Sequence, residues 1–194
     1  SPEWSSYGSN YYVDFTKANA TQITSPSFTP PAVGAVAFWY KSSSLPSSRQ
    51  RIFGFHDGWE IRWDPDSVMY LDINKTGTNG SIKTSAPMTA IDTWVHITVL
   101  TNATDNTWSV YVNGVLDNSG SELLTAQNDS VLIIGTRTGS NNYFDGSIDD
   151  FRIYSGILTE AEIKDLAEIS PLCCLINYPY FNDFETVHST ATIN

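Results

Sequence analysis

The chain has 194 residues, 41% hydrophobic and 13% aromatic, with 10 basic against 21 acidic residues and a formal charge of −11. That apolar content is enough for a core and excludes a chain disordered throughout. The acidic balance, with no basic stripe, argues against nucleic acid or an anionic membrane surface as partner, and no apolar run approaches the ~20 residues of a membrane-spanning helix.

The opening SPEWSSYGSN is polar, has no signal-peptide apolar stretch, and is expected to lie outside the folded domain, as residues 1–10. Short β-rich runs separated by turn residues follow, the pattern of a sandwich or barrel. Strands are expected at 11–15, 33–40, 51–56, 59–63, 67–73, 81–84, 93–101, 108–112, 131–135 and 146–154. Val95, Ile97 and Val99 alternate with Trp94, His96, Thr98 and Leu100, which predicts a strand covered on both faces. Asn113-Gly114 tolerates positive φ and marks a tight turn. Thr159-Glu160-Ala161-Glu162 is a capping box, Ile163, Leu166 and Ala167 supply an apolar stripe, and Pro171 ends the helix.

Asp149 and Asp150 stand side by side in a run that otherwise reads as a strand. Successive residues alternate across a strand, so the two carboxylates are expected on opposite faces, one taking backbone N–H groups or Arg152. Cys173 and Cys174 are neighbours, and joining them would close a strained ring, so free thiols are expected. Five Asn-x-Ser/Thr sites, at Asn19, Asn74, Asn79, Asn102 and Asn128, count only if the chain passes through a glycosylating secretory route.

Six segments in order, YVDF, VAFWYK, WVHITVL, WSVYVNGVL, LIIGTR and FDGSIDDFRIYSGILTEAEI, resemble the laminin-G-like branch of the concanavalin A-like jelly rolls. The resemblance spans about residues 11–169. It implies an all-β fold of two antiparallel sheets, the last strand returning beside the first, with one short C-terminal helix. It also implies one structural calcium ion held by Asp149 with carbonyl oxygens near Asp14, and a structural role for His96.

Enzymes occur on this fold, so catalysis needs testing. Glu60 and Asp64 share a strand face, but their Cα atoms lie about 13 Å apart on a straight strand. Glycosidase carboxyls sit about 5–9.5 Å apart. Arg62 between them favours the ionised form of both, the opposite of what a general acid needs. His56, His96 and His188 lack metal-pair spacing, and no nucleophile elbow, P-loop or dinucleotide fingerprint occurs. The expectation is a protein that is not an enzyme.

Recognition of a glycan or a protein surface is the leading expectation, because laminin-G-like domains bind through rim loops or across one sheet. Trp59, Arg62 and Trp63, with Asn141, Asn142 and Tyr143, offer the rings and polar groups of a sugar site. Residues 170–194 form an apolar arm. Leu172, Leu175, Ile176, Tyr178, Tyr180, Phe181 and Phe184 are too apolar for a free tail and predict a homo-oligomer or docking on another subunit. The expected setting is extracellular or a virion surface, within a larger assembly. The alternatives are a virion decoration or fibre subunit with no small ligand and, third, a polysaccharide-degrading enzyme.

Overall fold

In the computed structural model, Phe38 and Phe151 from one sheet meet Phe53 from the other, with ring centroids 6.2 and 5.0 Å from Phe53. The structure describes residues 3–7, 10–55, 60–72, 82–126, 128–137, 140–169 and 192–193. The strands are β1 (Glu3–Tyr7), β2 (Asn10–Phe15), β3 (Ile23–Phe28), β4 (Val33–Lys41), β5 (Gln50–Gly54), β6 (Glu60–Trp63) and β7 (Met69–Asp72). They continue as β8 (Val95–Asn102), β9 (Thr107–Val112), β10 (Val115–Ser121), β11 (Ser130–Ile134), β12 (Gly146–Ser155) and β13 (Thr192–Ile193), with helix α1 (Glu160–Glu168) after β12.

All the strand pairs are antiparallel and form two sheets. One is ordered β1-β2-β12-β4-β8-β9-β10, the other β13-β3-β11-β5-β6-β7. Alternation builds the core between them. Val36, Phe38 and Tyr40 of β4, Val95, Ile97 and Val99 of β8, and Ile148 of β12 point inward against Ile52, Phe53, Ile61, Trp63 and Leu71. Each large apolar side chain buried this way contributes about 1.5–3 kcal/mol. β12 pairs with both β2 and β4, so the last long strand does return beside the first ones.

The tight turn falls where the sequence puts it: Asn113 and Gly114 adopt φ of 49° and 77° and join β9 to β10 as a hairpin. The capping box forms, with Glu162 N donating to Thr159 Oγ1 and Thr159 N donating to Glu162 Oε2. Ile163 of α1 packs on Ala35, Leu100 and Tyr111, the outward side chains of β4, β8 and β9. The helix therefore covers one end of the seven-stranded sheet's outer face, and β8 is buried on both faces as its alternation implied.

Four strands lie outside the expected set. β1 pairs along its length with β2, so residues 3–7 extend the sheet rather than preceding the domain. β3, β10 and β13 were not expected either. The run at 81–84 contributes an isolated bridge, Lys83 to Tyr70, in place of a strand. In β12 the register slips between Asp149 and Arg152, and Asp150 takes φ of 52°. Asp150 is the extra residue of a bulge, a position aspartate tolerates better than most side chains. Simple alternation of the two aspartates therefore fails: Ile148 and Phe151 both pack in the core, which leaves Asp149 and Arg152 facing outward.

Candidate functional site

The sequence places its ligand residues around Arg62, and the structure surrounds Arg62 with charge. On the outer face of the six-stranded sheet, Arg51 lies opposite Arg62 across β5–β6, and Arg62 opposite Tyr70 across β6–β7. Like charges facing each other across a ladder destabilise it unless something intervenes. Here Glu60 intervenes. Its Oε2 accepts from Arg51 Nε at 2.6 Å and faces Arg137 Nε at 3.3 Å, while its Oε1 faces Arg62 Nη1 at 3.5 Å. Arg49 forks onto Asp64 at 2.7 and 3.0 Å, and Arg62 Nε reaches the same carboxylate at 3.3 Å. Burial pushes the Asp64 carboxyl up, but its hydrogen bond and charge contacts with Arg49 and then Arg62 outweigh that and hold it below the usual range. The Arg62 guanidinium lies 4.6 Å from the Tyr70 ring centroid, and the Tyr70 hydroxyl donates to Asp66.

The expected loop joins this network. Arg51 N donates to Asn142 O at 2.9 Å, and Arg51 Nη1 and Asn142 N both donate to Ser140 Oγ. Arg62 and the segment Asn141–Asn142–Tyr143 are therefore neighbours through Arg51, with Asn141 exposed and Asn142 and Tyr143 half-buried. Trp63 departs from the expectation. It is fully buried in the core and its Nε1 donates to Ser67 O, so its ring is not on offer to a ligand. Trp59 lies outside the described residues, as do the arm residues Leu172, Leu175, Ile176, Tyr178, Tyr180, Phe181 and Phe184.

Both oxygens of Glu60 meet guanidinium groups, and the Asp64 carboxyl is held below the usual carboxylate range, the opposite of the shift a general acid needs.

The outer face of the seven-stranded sheet, at the end that α1 leaves uncovered, is arranged differently. Trp39 faces His96 across β4–β8 and Asp149 across β4–β12, while Ser147 lies between Lys41 and Asp14. The rings of Tyr12 and Trp94 meet at 5.4 Å, edge to face, and the Lys41 ammonium lies 5.1 and 5.0 Å from their centroids. Tyr12 sits on β2 and Trp94 leads into β8, with β12 and β4 between them. Four adjacent strands span about 14 Å, so the two rings lean inward over the intervening strands to touch.

On the same face polar groups go unmatched. Trp39 Nε1, His96 Nδ1 and Thr98 Oγ1 are buried without a hydrogen-bond partner, each at a cost of about 1–3 kcal/mol. Burial, and then the Arg152 charge, push the His96 imidazole down to about 4. Burial, and then the Asp150 charge, push the Asp149 carboxyl up to about 7. Sequence reading missed Tyr12, Lys41 and Trp94. The signal was present in VAFWYK, where inward Phe38 and Tyr40 alternate with outward Trp39 and Lys41.

Asp14 and Asp149 share this face. Asp14 Oδ1 accepts from Ser147 Oγ at 2.6 Å, and Asp149 Oδ1 accepts from Asp150 N at 2.8 Å. Asp150 pairs with Arg152 through a 2.8 Å contact to Nε. Calcium takes six to eight oxygens, and these two carboxylates supply only part of such a shell. Among the described residues no group of three or more His, Cys, Asp or Glu is placed to hold a metal ion.

A lectin-like jelly roll is the class that this sandwich defines. Residues 14–164 match the family model Laminin_G_3 of the concanavalin A-like lectin/glucanases superfamily, and the chain belongs to that family. It is 26% identical over 149 residues to the Sushi, von Willebrand factor type A, EGF and pentraxin domain-containing protein 1 of Rattus norvegicus. That match covers 70% of this chain and 4% of the rat protein's length. Among solved structures, the chain is similar to domain 4 of AbnA, a GH43 extracellular arabinanase from Geobacillus stearothermophilus in complex with arabinotriose. The TM-score is 0.66 at 20% identity, over 86% of this chain and 81% of that one. The binding domain of Paraclostridial Mosquitocidal Protein 1 gives a TM-score of 0.68 at 20% identity, over 86% of this chain and 45% of that one. At such identities the likeness is one of fold.

Proposed function

We propose that the chain is a non-catalytic recognition module that binds glycans outside the cell. The observation that carries this reading is the state of Glu60, held among Arg51, Arg62 and Arg137 where a fold relative with hydrolytic activity would need a free carboxyl. Support comes from relatives described as carbohydrate-bound or as binding domains, one of them bound to arabinotriose. Arg62, Asn141, Asn142 and Tyr143 form one rim at which a ligand would be met. Of these, Asn141 and Tyr143 keep side chains for contact, since Arg62 is engaged with Glu60 and Asp64. Any role within a larger surface assembly rests on the arm at 170–194.

The test pairs two assays on the full chain. A glycan array should return at least one saccharide ligand, and incubation with a panel of polysaccharides should yield no cleavage products. Cleavage that disappears in Glu60→Gln would overturn the non-catalytic reading, and an empty array would overturn glycan recognition.

A further inference from the structure

We infer that Tyr12 and Trp94 form a clamp over a saccharide-binding site on the outer face of the seven-stranded sheet, and that its ligand is a neutral sugar ring. The inference rests on the glycan-binding reading and adds to it a second place, apart from the rim at Asn141 and Tyr143, and a chemical class.

The two outer faces use their polar groups in opposite ways. On the six-stranded sheet, Arg49, Arg51, Arg62 and Arg137 all face the carboxylates of Glu60 or Asp64. On the seven-stranded sheet the capacity is unused. The Lys41 ammonium has aromatic neighbours and no carboxylate partner among the described residues. Trp39 Nε1 and His96 Nδ1, on rings 5.0 Å apart, are buried and unpaired. Asp149, opposite Trp39, engages one oxygen with its neighbour's N–H and has a second to offer. Convergent polar groups under aromatic rings are the ordinary signature of a small-molecule site.

The ligand class follows from these groups. An ammonium and an indole N–H donate, a carboxylate oxygen accepts, and a hydroxyl is the group that answers both. Trp94 and Tyr12 suit the apolar face of a sugar ring. Asp14, on the same face and hydrogen-bonded to Ser147, opposes a carboxylated or sulfated sugar. The clamp itself follows from the 5.4 Å ring contact made across two intervening strands. With the rings together, Trp39 Nε1 and His96 Nδ1 on the same face are buried and unpaired. When they part, an entering hydroxyl meets Lys41, Trp39 and Asp149, and the ring rests on Trp94.

Titration calorimetry on the full chain tests this. The probes are neutral oligosaccharides of glucose, galactose, mannose, xylose and arabinose, beside glucuronate-containing and sulfated counterparts. A neutral probe should bind, with Trp94→Ala weakening it about tenfold or more and Lys41→Met about three- to tenfold, while Lys164→Ala, on the exposed side of α1, leaves it unchanged. Thermal melts establish that each variant is folded; if Trp94→Ala is not, Lys41→Met decides alone. Wild-type affinity in Lys41→Met, or a tightest ligand that is carboxylated or sulfated, would overturn the clamp and leave glycan recognition standing. Binding of no sugar at all overturns both.

Discussion

Arg51 and Arg62 stand directly opposite each other across the β5–β6 ladder, and the Glu60 carboxylate holds them there. Glu60 is 5% exposed and Arg62 is 3% exposed, so solvent does little to screen the pair. Glu60→Gln would take from the buried Arg51 guanidinium its carboxylate, while Arg62 keeps Asp64. The expected cost is about 3–5 kcal/mol in urea unfolding, as for other broken buried pairs. Asp64→Asn should cost less, because its partner Arg49 has a side chain 40% exposed. A Glu60→Gln change within about 0.5 kcal/mol of the native chain would show that the carboxylate does not organise this face.

His96 and Asp149 are expected to act on stability in opposite directions over one pH window. His96 titrates near 4 in the folded chain against an ordinary 6.5, so the unfolded chain binds more protons between those values and stability rises with pH. Asp149 titrates near 7 against 3.8, so there the folded chain binds more protons and stability falls as pH climbs from about 4 to 7. Each effect is on the order of 3–4 kcal/mol, and in the native chain they largely offset each other. Asp149→Asn should leave stability rising between pH 4 and 6.5, and His96→Gln should leave it falling. Denaturant melts at pH 4.5 and 6.5 check this, and identical slopes in the native chain and both variants would contradict it.

Calcium at Asp149 is tested by melting temperature. A bound ion stabilises the folded state by mass action, so chelation should lower the midpoint and added calcium restore it. Asp149→Ala should abolish that response. A melting curve indifferent to chelator would leave Asp149 as the acceptor of the Asp150 N–H and nothing more.

Deletion of 170–194 tests assembly through the apolar arm. The core cluster is drawn from Phe15 to Phe151, so the truncated chain should keep its sandwich. It loses β13, whose Thr192 and Ile193 pair with Thr24 and Ile23, and bares β3 as an open edge. If the arm joins subunits, light scattering should report a smaller native mass after truncation. Monomeric mass before and after would withdraw assembly and assign the arm to its own domain.

Thr159→Ala removes the hydroxyl that caps α1 and should cost about 1 kcal/mol in thermal unfolding, since Glu162 N loses its acceptor. A shift of that size with an unchanged glycan affinity would confirm that the helix end serves stability alone.

The strands that were legible in the sequence are those that bury a face. β4 and β8 carry aromatic and β-branched residues at every second position, and both were visible. β3 reads ITSPSF and β10 reads VLDNSGS, with mostly half-exposed or exposed side chains, so neither has a hydrophobic period to detect. β1 and β10 lie at the edges of their sheet, where burial imposes least on sequence. Trp63 was misplaced even though the information was at hand. It sits between Arg62 and Asp64, and alternation puts it on the opposite face from both. The Arg137 contact to Glu60 was hidden because it joins residues far apart in sequence, and the pairing of β11 with β5 brings them together.

The bulge at Asp150 also fixes how β12 tolerates change in length. The strand is two short ribbons of opposite phase, spliced by a single residue at φ of 52°. Because Asp150 is the extra residue, excising it would restore unbroken alternation: Phe151 would keep its place against Phe38 and Phe53, and Arg152 would still face outward. A one-residue deletion at the bulge would therefore be milder than one further along the strand, which would put every later side chain on the opposite face. The doubled aspartate is the hinge pin that lets one strand serve the core of the sandwich and its outer surface in the same breath.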